Sequence, residues 1–375
     1  MRIGVMLRHL EQQEGGVKVY TKNVLPRLLT LGAHHTFVLL YQDRKLLGTY
    51  AQYHNVEEMA VSFPGTVAWD QIGVPLAARG RRLDLIFNPK LTVPLLTTSK
   101  TVLMVHGSEA LVIPEHFGRF DIWYRKIFRP LYLRSAAACI AVSNTVKADL
   151  VRCAAAEPGK VFPIYNGIDP ELFRPVKDLA RLSRLREKYQ LPDHFILWAG
   201  QIESRKNVAR LLQAFAQIMH EIPHSLVIAG ERRRSSAHEL HNIEELGLAG
   251  RVHFPGWISQ TDLPAIYCLA DVFAFPSLYE GFGIPLIEAM ACGCPIVAAN
   301  TGTPPEILNG AGYLVDPLNV NDIASGIRTV LSEAGLRQGM IAKGIEQAKG
   351  FSWDQTARQL LAVLEQAGGR GAGVG

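Results

Sequence analysis

The sequence predicts an α/β protein made of two domains, each a parallel sheet covered by helices on both faces. Three observations predict it. Short apolar runs of strand type alternate with amphipathic segments of about 10 to 15 residues, the pattern of a parallel sheet with crossover helices. The alternation is interrupted by a turn- and proline-rich stretch and then restarts. The length, 375 residues, exceeds what a single core ordinarily serves.

Taken in order, Ile3–Leu7 reads as a strand, Gly16–Leu31 as a helix and Thr36–Tyr41 as a second strand. Leu85–Asn88, Thr101–Val105 and Ala138–Val142 continue the series, with helices between them. Asn166-Gly167 marks a turn, and Pro170 and Pro175 interrupt regular structure, which places the domain boundary near residues 168–176. Beyond it Arg174–Gln190 reads as a polar helix, Phe195–Ala199 as a strand and Val208–His220 as a helix. Strands follow at Leu226–Ala229, Val252–Phe254, Val272–Phe275 and Pro295–Ala298. The expected division is 1–170 for the first domain and 171–350 for the second. Gly350 precedes a last helix, Trp353–Gln366, within a segment 351–368 expected to pack back on the first domain, and 369–375 is expected to be a flexible tail. Ligands of open α/β sheets lie beyond the carboxyl ends of strands, so the active site is expected in a cleft faced by both sheets.

Composition narrows the class. With 48% hydrophobic and 19% charged residues, the chain can bury large cores. The start MRIGVMLRHL lacks the apolar stretch and cleavage site of a signal peptide, and no apolar run approaches the ~20 residues that span a bilayer. A cytoplasmic protein is expected, with peripheral contact at the inner face of the membrane left open. The formal charge of +5 suits a phosphate-bearing ligand, yet it is spread thinly and fits a plain soluble protein almost as well, and no nucleic-acid motif accompanies it. Arg119, Arg125, Lys126, Arg129 and Arg134 interleave with Phe120, Trp123, Tyr124, Phe128 and Tyr132. That run reads either as a solvated helix or as a helix lying on an anionic membrane surface. Cysteines at 139, 153, 268, 292 and 294 form no double CxxC framework and read as reduced core or helix residues.

The most informative segment is DVFAFPSLYEGFGIPLIEAMACGCPIVAA from Asp271. A strand ends near Phe275, a loop with Gly281 and Gly283 follows, and a helix begins near Pro285, a residue suited to the first turn. The glycines let backbone approach a ligand, and the helix start offers N–H groups to a phosphate or sugar hydroxyl. Glu280 precedes the helix and Glu288 lies about one turn into it. Two carboxylates at this spacing suit a ligand with two polyol parts. The same residues also fit a helix cap and an ordinary solvated position.

The string EGFGIPLIEAMACGCPIVA resembles the E-x7-E motif of glycosyltransferase family 4, whose members have the two-domain GT-B fold of paired Rossmann-like domains. Gly15-Gly16, VSNTVKADLVR at 142–152, YNGID at 165–169, GQIESRKNVARLLQAF at 200–215 and GWISQTDLPAIYCLADVFAFPS at 256–277 extend the likeness over nearly the whole chain. The resemblance implies that Glu280 approaches the donor sugar with the Gly281-Phe282-Gly283 backbone, that Glu288 clamps the ribose, and that Lys206 neutralises the donor diphosphate. Where many members carry arginine after the glycine equivalent to Gly200, this chain has Gln201, and Arg205 becomes the candidate for the second phosphate contact. Gly15 and Gly16 match the glycine loop under the donor phosphates. His106 matches a histidine that touches the donor sugar; the aspartate that often follows is Gly107 here, with Glu109 the nearest carboxylate to take its part.

The resemblance further implies retaining transfer of a hexose, with mannose from GDP-mannose as the first choice and a UDP-sugar as the alternative, to a glycan or lipid-linked acceptor. No tightly bound cofactor is expected, and the absence of an Asp-x-Asp motif leaves no required metal. The leaving phosphate would deprotonate the acceptor in a front-face mechanism. A nucleotide-sugar epimerase, a dehydrogenase lacking its GxGxxG fingerprint and a non-catalytic scaffold are the rival readings.

Overall fold

Among the described residues, thirteen strands pair in parallel into two separate sheets. The structure is a computed structural model that describes residues 1–11, 15–230 and 243–369, with backbone alone at 119–121 and 124. The side chains of Arg119, Phe120 and Tyr124, and the expected tail beyond Gly369, therefore lie outside the described residues. The chain divides into one unit of Met1–Gly167 together with the segment from Ser352, and a second unit of Ile168–Phe351.

In the first unit the strands are β1 (Arg2–Met6), β2 (Thr36–Tyr41), β3 (Val56–Ala60), β4 (Leu85–Asn88), β5 (Lys100–Val105), β6 (Ala138–Ala141) and β7 (Val161–Pro163). Their order is β3-β2-β1-β4-β5-β6-β7. β1 is the hinge of this order: Ile3 pairs with Phe37 on one side and Leu85 on the other. The second unit has β8 (Phe195–Ala199), β9 (Ser225–Ala229), β10 (Val252–Gly256), β11 (Val272–Phe275), β12 (Ile296–Ala299) and β13 (Tyr313–Val315), ordered β10-β9-β8-β11-β12-β13. Here the reversal falls between β8 and β11, where Val272 pairs with Ile196. In each sheet the crossovers from the two central strands leave in opposite directions, which opens a crevice at their carboxyl ends.

Both central strands are sealed on both faces. Phe195, Ile196, Leu197 and Trp198 are all fully buried, and the amphipathic helix Val208–Ile218 covers one face with Leu211, Leu212 and Phe215. Parallel strands need such cover because their faces carry no polar alternation to meet water. The C-terminal helix Trp353–Gly368 lies against Gly16–Leu31 within the first unit. Arg27 Nε donates to Asp354 Oδ1 at 2.6 Å, and buried Trp353 meets the edge of Tyr20 at 6.0 Å between ring centres. The Nε2 atoms of His34 and His35 both face Glu365 Oε1, at 2.9 and 3.0 Å.

Several sequence expectations need correction. The polar helix expected over 174–190 is Leu179–Lys188, because the Asp178 side chain caps it by accepting from Arg181 N at 3.0 Å. The last helix runs past Gln366 to Gly368 and stops at Gly369, whose φ of +88° ends it in the left-handed region. The basic aromatic helix, Arg119–Ser135, is not solvated all round: Arg129, Tyr132 and Leu133 are buried. The cysteines are all free; Cys139, Cys292 and Cys294 are buried, Cys268 half-buried and Cys153 exposed.

Candidate active site

At the switch point of the second sheet, two loops leave the carboxyl ends of β8 and β11 and are tied together by their backbones. Leu278 N donates to Arg205 O at 2.8 Å. Asn207 secures the junction: its buried side-chain amide donates to Pro276 O at 2.9 Å and Pro317 O at 2.6 Å. Its φ of +61° is a conformation asparagine tolerates better than most residues, and it places Ser204–Lys206 in a tight turn before the helix Val208–Ile218.

This brings Lys206 onto Glu280. Lys206 Nζ lies 2.5 Å from Glu280 Oε1 and 4.9 Å from the Phe275 ring centre. Arg205 Nη1 is 3.6 Å from Glu280 Oε2, while its Nε donates to Glu203 Oε2 at 2.9 Å. Arg205 is thus drawn toward Glu280. Burial lowers the Lys206 pKa, with Glu280 pulling the other way. Burial alone would raise that of Glu280, but Lys206 and Arg205 together hold it below the usual carboxylate range. The pair stands as ammonium and carboxylate.

Glu280 is also fixed through its main chain. Buried Thr303, just beyond β12, donates its hydroxyl to Glu280 O at 2.6 Å and lies 3.0 Å from Gly281 O. Gly283 then turns the chain with φ +84°, and the helix Ile284–Cys292 starts with Pro285 in its first turn and no side-chain cap. Pro285 has no N–H and Leu286 N donates to Gly283 O at 2.8 Å, so of the first three positions Ile284 is the one that can offer its N–H to an anion or hydroxyl. Phe282 is buried and meets Phe351 edge-on at 5.8 Å. Of the two loop glycines, Gly283 alone has a positive φ; Gly281 has none.

Glu288 is buried, 8% exposed, which overturns its reading as a solvated helix position. The Tyr267 hydroxyl donates to Glu288 Oε2 at 3.1 Å. Burial pushes the Glu288 pKa up to about 7. Two carboxylates on one loop–helix segment are thereby driven apart in acidity, one held charged by cations and the other poised near neutrality by desolvation.

The first unit builds its own cluster at the corresponding crevice. Arg8 and His9 follow β1, Lys90 follows β4 and His106 follows β5. His106 Nε2 donates to Pro89 O at 2.9 Å, which leaves Nδ1 as the bare acceptor. Burial lowers the His106 pKa to about 4, so the ring is neutral. His9 Nε2 lies 2.7 Å from the Thr21 hydroxyl, which itself donates to Val17 O at 2.9 Å; burial and then Lys90 bring the His9 pKa to about 3. Lys90 is lowered by burial and by Arg8, with Asp70 opposing. Gly15 and Gly16 are exposed, and a Cβ added to either would meet nothing within 4 Å. A Cβ at Gly107 would land on Glu109 Oε2, so the Glu109 carboxylate fills the space a side chain at 107 would take.

Sequence reasoning missed Asn207, Thr303, Tyr267, Arg8, His9, Lys90 and Asp70. Most stand one to four residues beyond the end of a strand, which is the signal that could have found them.

A family model described as Glycosyltransferase Family 4 matches residues 14–172, and one described as Glycosyl transferases group 1 matches residues 183–347. The O-antigen chain mannosyltransferase B of Escherichia coli is 28% identical over 265 residues, 70% of this chain and 69% of that protein. The serotype-specific mannosyltransferase WbdA of Escherichia coli is 29% identical over 240 residues, 61% of this chain and only 29% of that longer protein. The solved structure of Anabaena Alr3699/HepE in complex with UDP-glucose superposes with TM-score 0.78 at 22% identity, covering 98% of this chain and 100% of that one, and carries the GT-B fold. With the two domain models following one another along the chain and both sheets built as that fold requires, the protein belongs to the glycosyltransferases, a Glycosyltransferase Family 4 domain joined to a group 1 domain.

Proposed function

We propose that the enzyme transfers mannose from GDP-mannose, with retention of configuration, to a hydroxyl of a glycan or lipid-linked acceptor. The observation that carries this reading is the buried Lys206–Glu280 pair beside Arg205 and an uncapped helix start. Sugar transfer builds negative charge on the leaving diphosphate and positive charge at the anomeric carbon, and a site must meet both. Lys206 and Arg205 supply the cations and the start of the helix Ile284–Cys292 its free N–H; Gly15 and Gly16 are read, from the family resemblance, as donor-phosphate residues of the first unit. As Lys206 turns to phosphate, the Glu280 carboxylate is released to accept from donor sugar hydroxyls. Glu288, one turn on, accepts from the ribose hydroxyl pair. His106 offers its bare Nδ1 to a sugar hydroxyl, and Glu109 stands beside it as the acidic partner.

The reaction needs no protein nucleophile in this scheme: the acceptor hydroxyl attacks the face the diphosphate leaves, and a phosphate oxygen takes its proton. Two fixed cations perform the charge neutralisation a divalent metal would otherwise provide. Mannose is favoured by the names of the relatives above. The acceptor is read as entering beside Arg8 and Lys90, with the protein working in the cytoplasm at the inner membrane face. The test is thermal stabilisation by GDP-, UDP-, ADP- and dTDP-sugars, followed by transfer from the best binder to extracted lipid-linked acceptors. Stabilisation and turnover with GDP-mannose are expected. Stabilisation by a UDP-sugar instead overturns the donor, and nucleotide binding with no transfer to any acceptor overturns catalysis.

A further inference from the structure

Beneath the proposed ribose contact, two helices of the second unit meet along two successive rungs. Tyr267 and Cys268 are neighbours on the helix Leu263–Leu269, and Glu288 and Cys292 lie one turn apart on Ile284–Cys292. Tyr267 meets Glu288 through the hydrogen bond at 3.1 Å. On the next rung the Cys268 thiol donates to the backbone oxygen of Cys292 at 3.4 Å, which sets the two cysteines side by side across the helix pair. Val176 N donates to Cys268 Sγ at 3.3 Å, the kind of contact that favours the anionic sulfur. Cys268 is half-buried and open to a small reagent, whereas Cys292 is buried behind it.

We propose that Cys268 and Cys292 form a redox pair, in which a hydroperoxide oxidises Cys268 and Cys292 resolves the product into a disulfide joining the two helices. In the first step the Cys268 thiolate attacks one peroxide oxygen, the O–O bond breaks, and the leaving oxygen takes a proton, giving a sulfenic acid and water or an alcohol. In the second, the Cys292 sulfur attacks Cys268 Sγ and expels hydroxide, which takes up the Cys292 proton as water. Two thiols and one peroxide give one disulfide and two waters, or one water and one alcohol. The neighbouring Cys292 side chain is the largest influence on the Cys268 pKa and lowers it to about 7, in the direction that favours the first step. The pairing with Cys268 raises the pKa of Cys292, which fits it to wait as the thiol that resolves.

Because Cys292 shares a helix with Glu288, the cross-link should also weaken nucleotide binding several-fold; this part rests on the reading of Glu288 as the ribose contact. The experiment treats the intact protein with hydrogen peroxide, then digests it without reductant using a glutamate-specific protease that cuts after Glu280 and Glu288. A linked Cys268–Cys292 peptide is expected in the wild type. Cys292→Ser should instead accumulate a Cys268 sulfenic acid trapped by dimedone, and Cys268→Ser should give neither. Peroxide labelling that falls on exposed Cys153 while Cys268 stays reduced overturns the pair, as does a link from Cys268 to Cys294. A link that forms without changing nucleotide affinity removes the coupling to Glu288 alone. Loss of nucleotide binding in reduced Glu288→Gln reports on the ribose contact separately.

Discussion

The Lys206 ammonium and the Glu280 carboxylate lie 2.5 Å apart with side chains only 10% and 7% exposed. Neither charge is solvated, so each is tolerable because the other is present. In the proposed function, a donor diphosphate would offer Lys206 a second anion and leave Glu280 free for another partner, so the pair would hold ready in the empty enzyme the two charges that transfer needs.

Removing one partner should therefore harm the fold as well as the chemistry. Lys206→Ala leaves Glu280 buried with Arg205 at 3.6 Å as its nearest remaining cation, and is expected to cost about 3 kcal/mol of stability. Lys206→Met combined with Glu280→Gln should recover most of that loss, since no bare charge stays buried, while turnover remains down by about a hundredfold or more. Denaturant unfolding and single-turnover transfer on the same variants check this. Glu280→Ala alone should lower turnover more than nucleotide affinity; full transferase activity in it would remove Glu280 from the mechanism.

Glu288 carries the opposite cost. Its folded carboxyl holds a proton up to about pH 7, whereas an unfolded one releases it near the ordinary value of 4.5. Between those values the folded state binds the extra proton, and stability falls as pH rises through them. Glu288→Gln keeps an acceptor for Tyr267 and removes this penalty, so it should stabilise the ligand-free second unit by up to about 3 kcal/mol at pH 8 relative to its effect at pH 4.5. With Glu288 as the proposed ribose contact, the wild type should bind nucleotide more tightly as pH rises from about 6 to 8, by up to about tenfold, because that contact needs the ionised form. Titration calorimetry across that range should find Glu288→Gln weaker and flat; a variant that keeps the slope would place the titrating group elsewhere.

How much of this could be read from the chain depends on sheet position. Phe195–Ala199 and Val272–Phe275 are central strands whose unbroken apolar runs announce themselves, and they match the structure residue for residue. The strands not anticipated, β3, β7 and β13, all stand at sheet edges. β3 carries Glu57 and Glu58, and β7 and β13 have three residues each, too short for periodicity to register. In the site, Glu280 and Glu288 were legible by spacing on one segment. The partnership of Glu280 with Lys206, 74 residues away, was not, because the β8–β11 pairing brings their loops together. The burial of Glu288 was hidden for a similar reason: the residue that covers it, Tyr267, comes from another helix.

The glycines separate into two kinds, and substitution should tell them apart. Gly283 has φ +84°, and an added Cβ would stand 2.9 Å from Leu286 Cδ1. Gly283→Ala should therefore cost about 1–3 kcal/mol in the fold itself. Gly15 has an extended φ of 176°, and among the described residues nothing lies within 4 Å of a Cβ added there or at Gly16. Gly15→Ala and Gly16→Ala should leave the melting temperature unchanged yet weaken donor binding about tenfold, because the space they keep open serves a ligand. Equal donor affinity in both alanine variants would make the loop a plain turn.

The helix Arg119–Ser135 offers the last test. Trp123, Ile127 and Leu131 recur every four residues and are 57%, 42% and 43% exposed, so they form one apolar line along its outer side. Lys126 and Arg134 are exposed beside that line, while Arg129, Tyr132 and Leu133 face inward. Among the described residues no helix is long and apolar enough to cross a membrane. An apolar line edged with cations instead fits the surface of an anionic bilayer, where each cation contributes about 1 kcal/mol and the Trp123 ring can rest at headgroup depth. Co-sedimentation with phosphatidylcholine vesicles containing about a third phosphatidylglycerol is expected, weaker without the anionic lipid and weaker in high salt. Lys126→Gln with Arg134→Gln should lower the partition coefficient about thirtyfold, the equivalent of two lost cations. Trp123→Ser should lower it at every lipid composition. Sedimentation that depends on protein concentration and ignores vesicles would assign the same line to contact with a second copy of the chain.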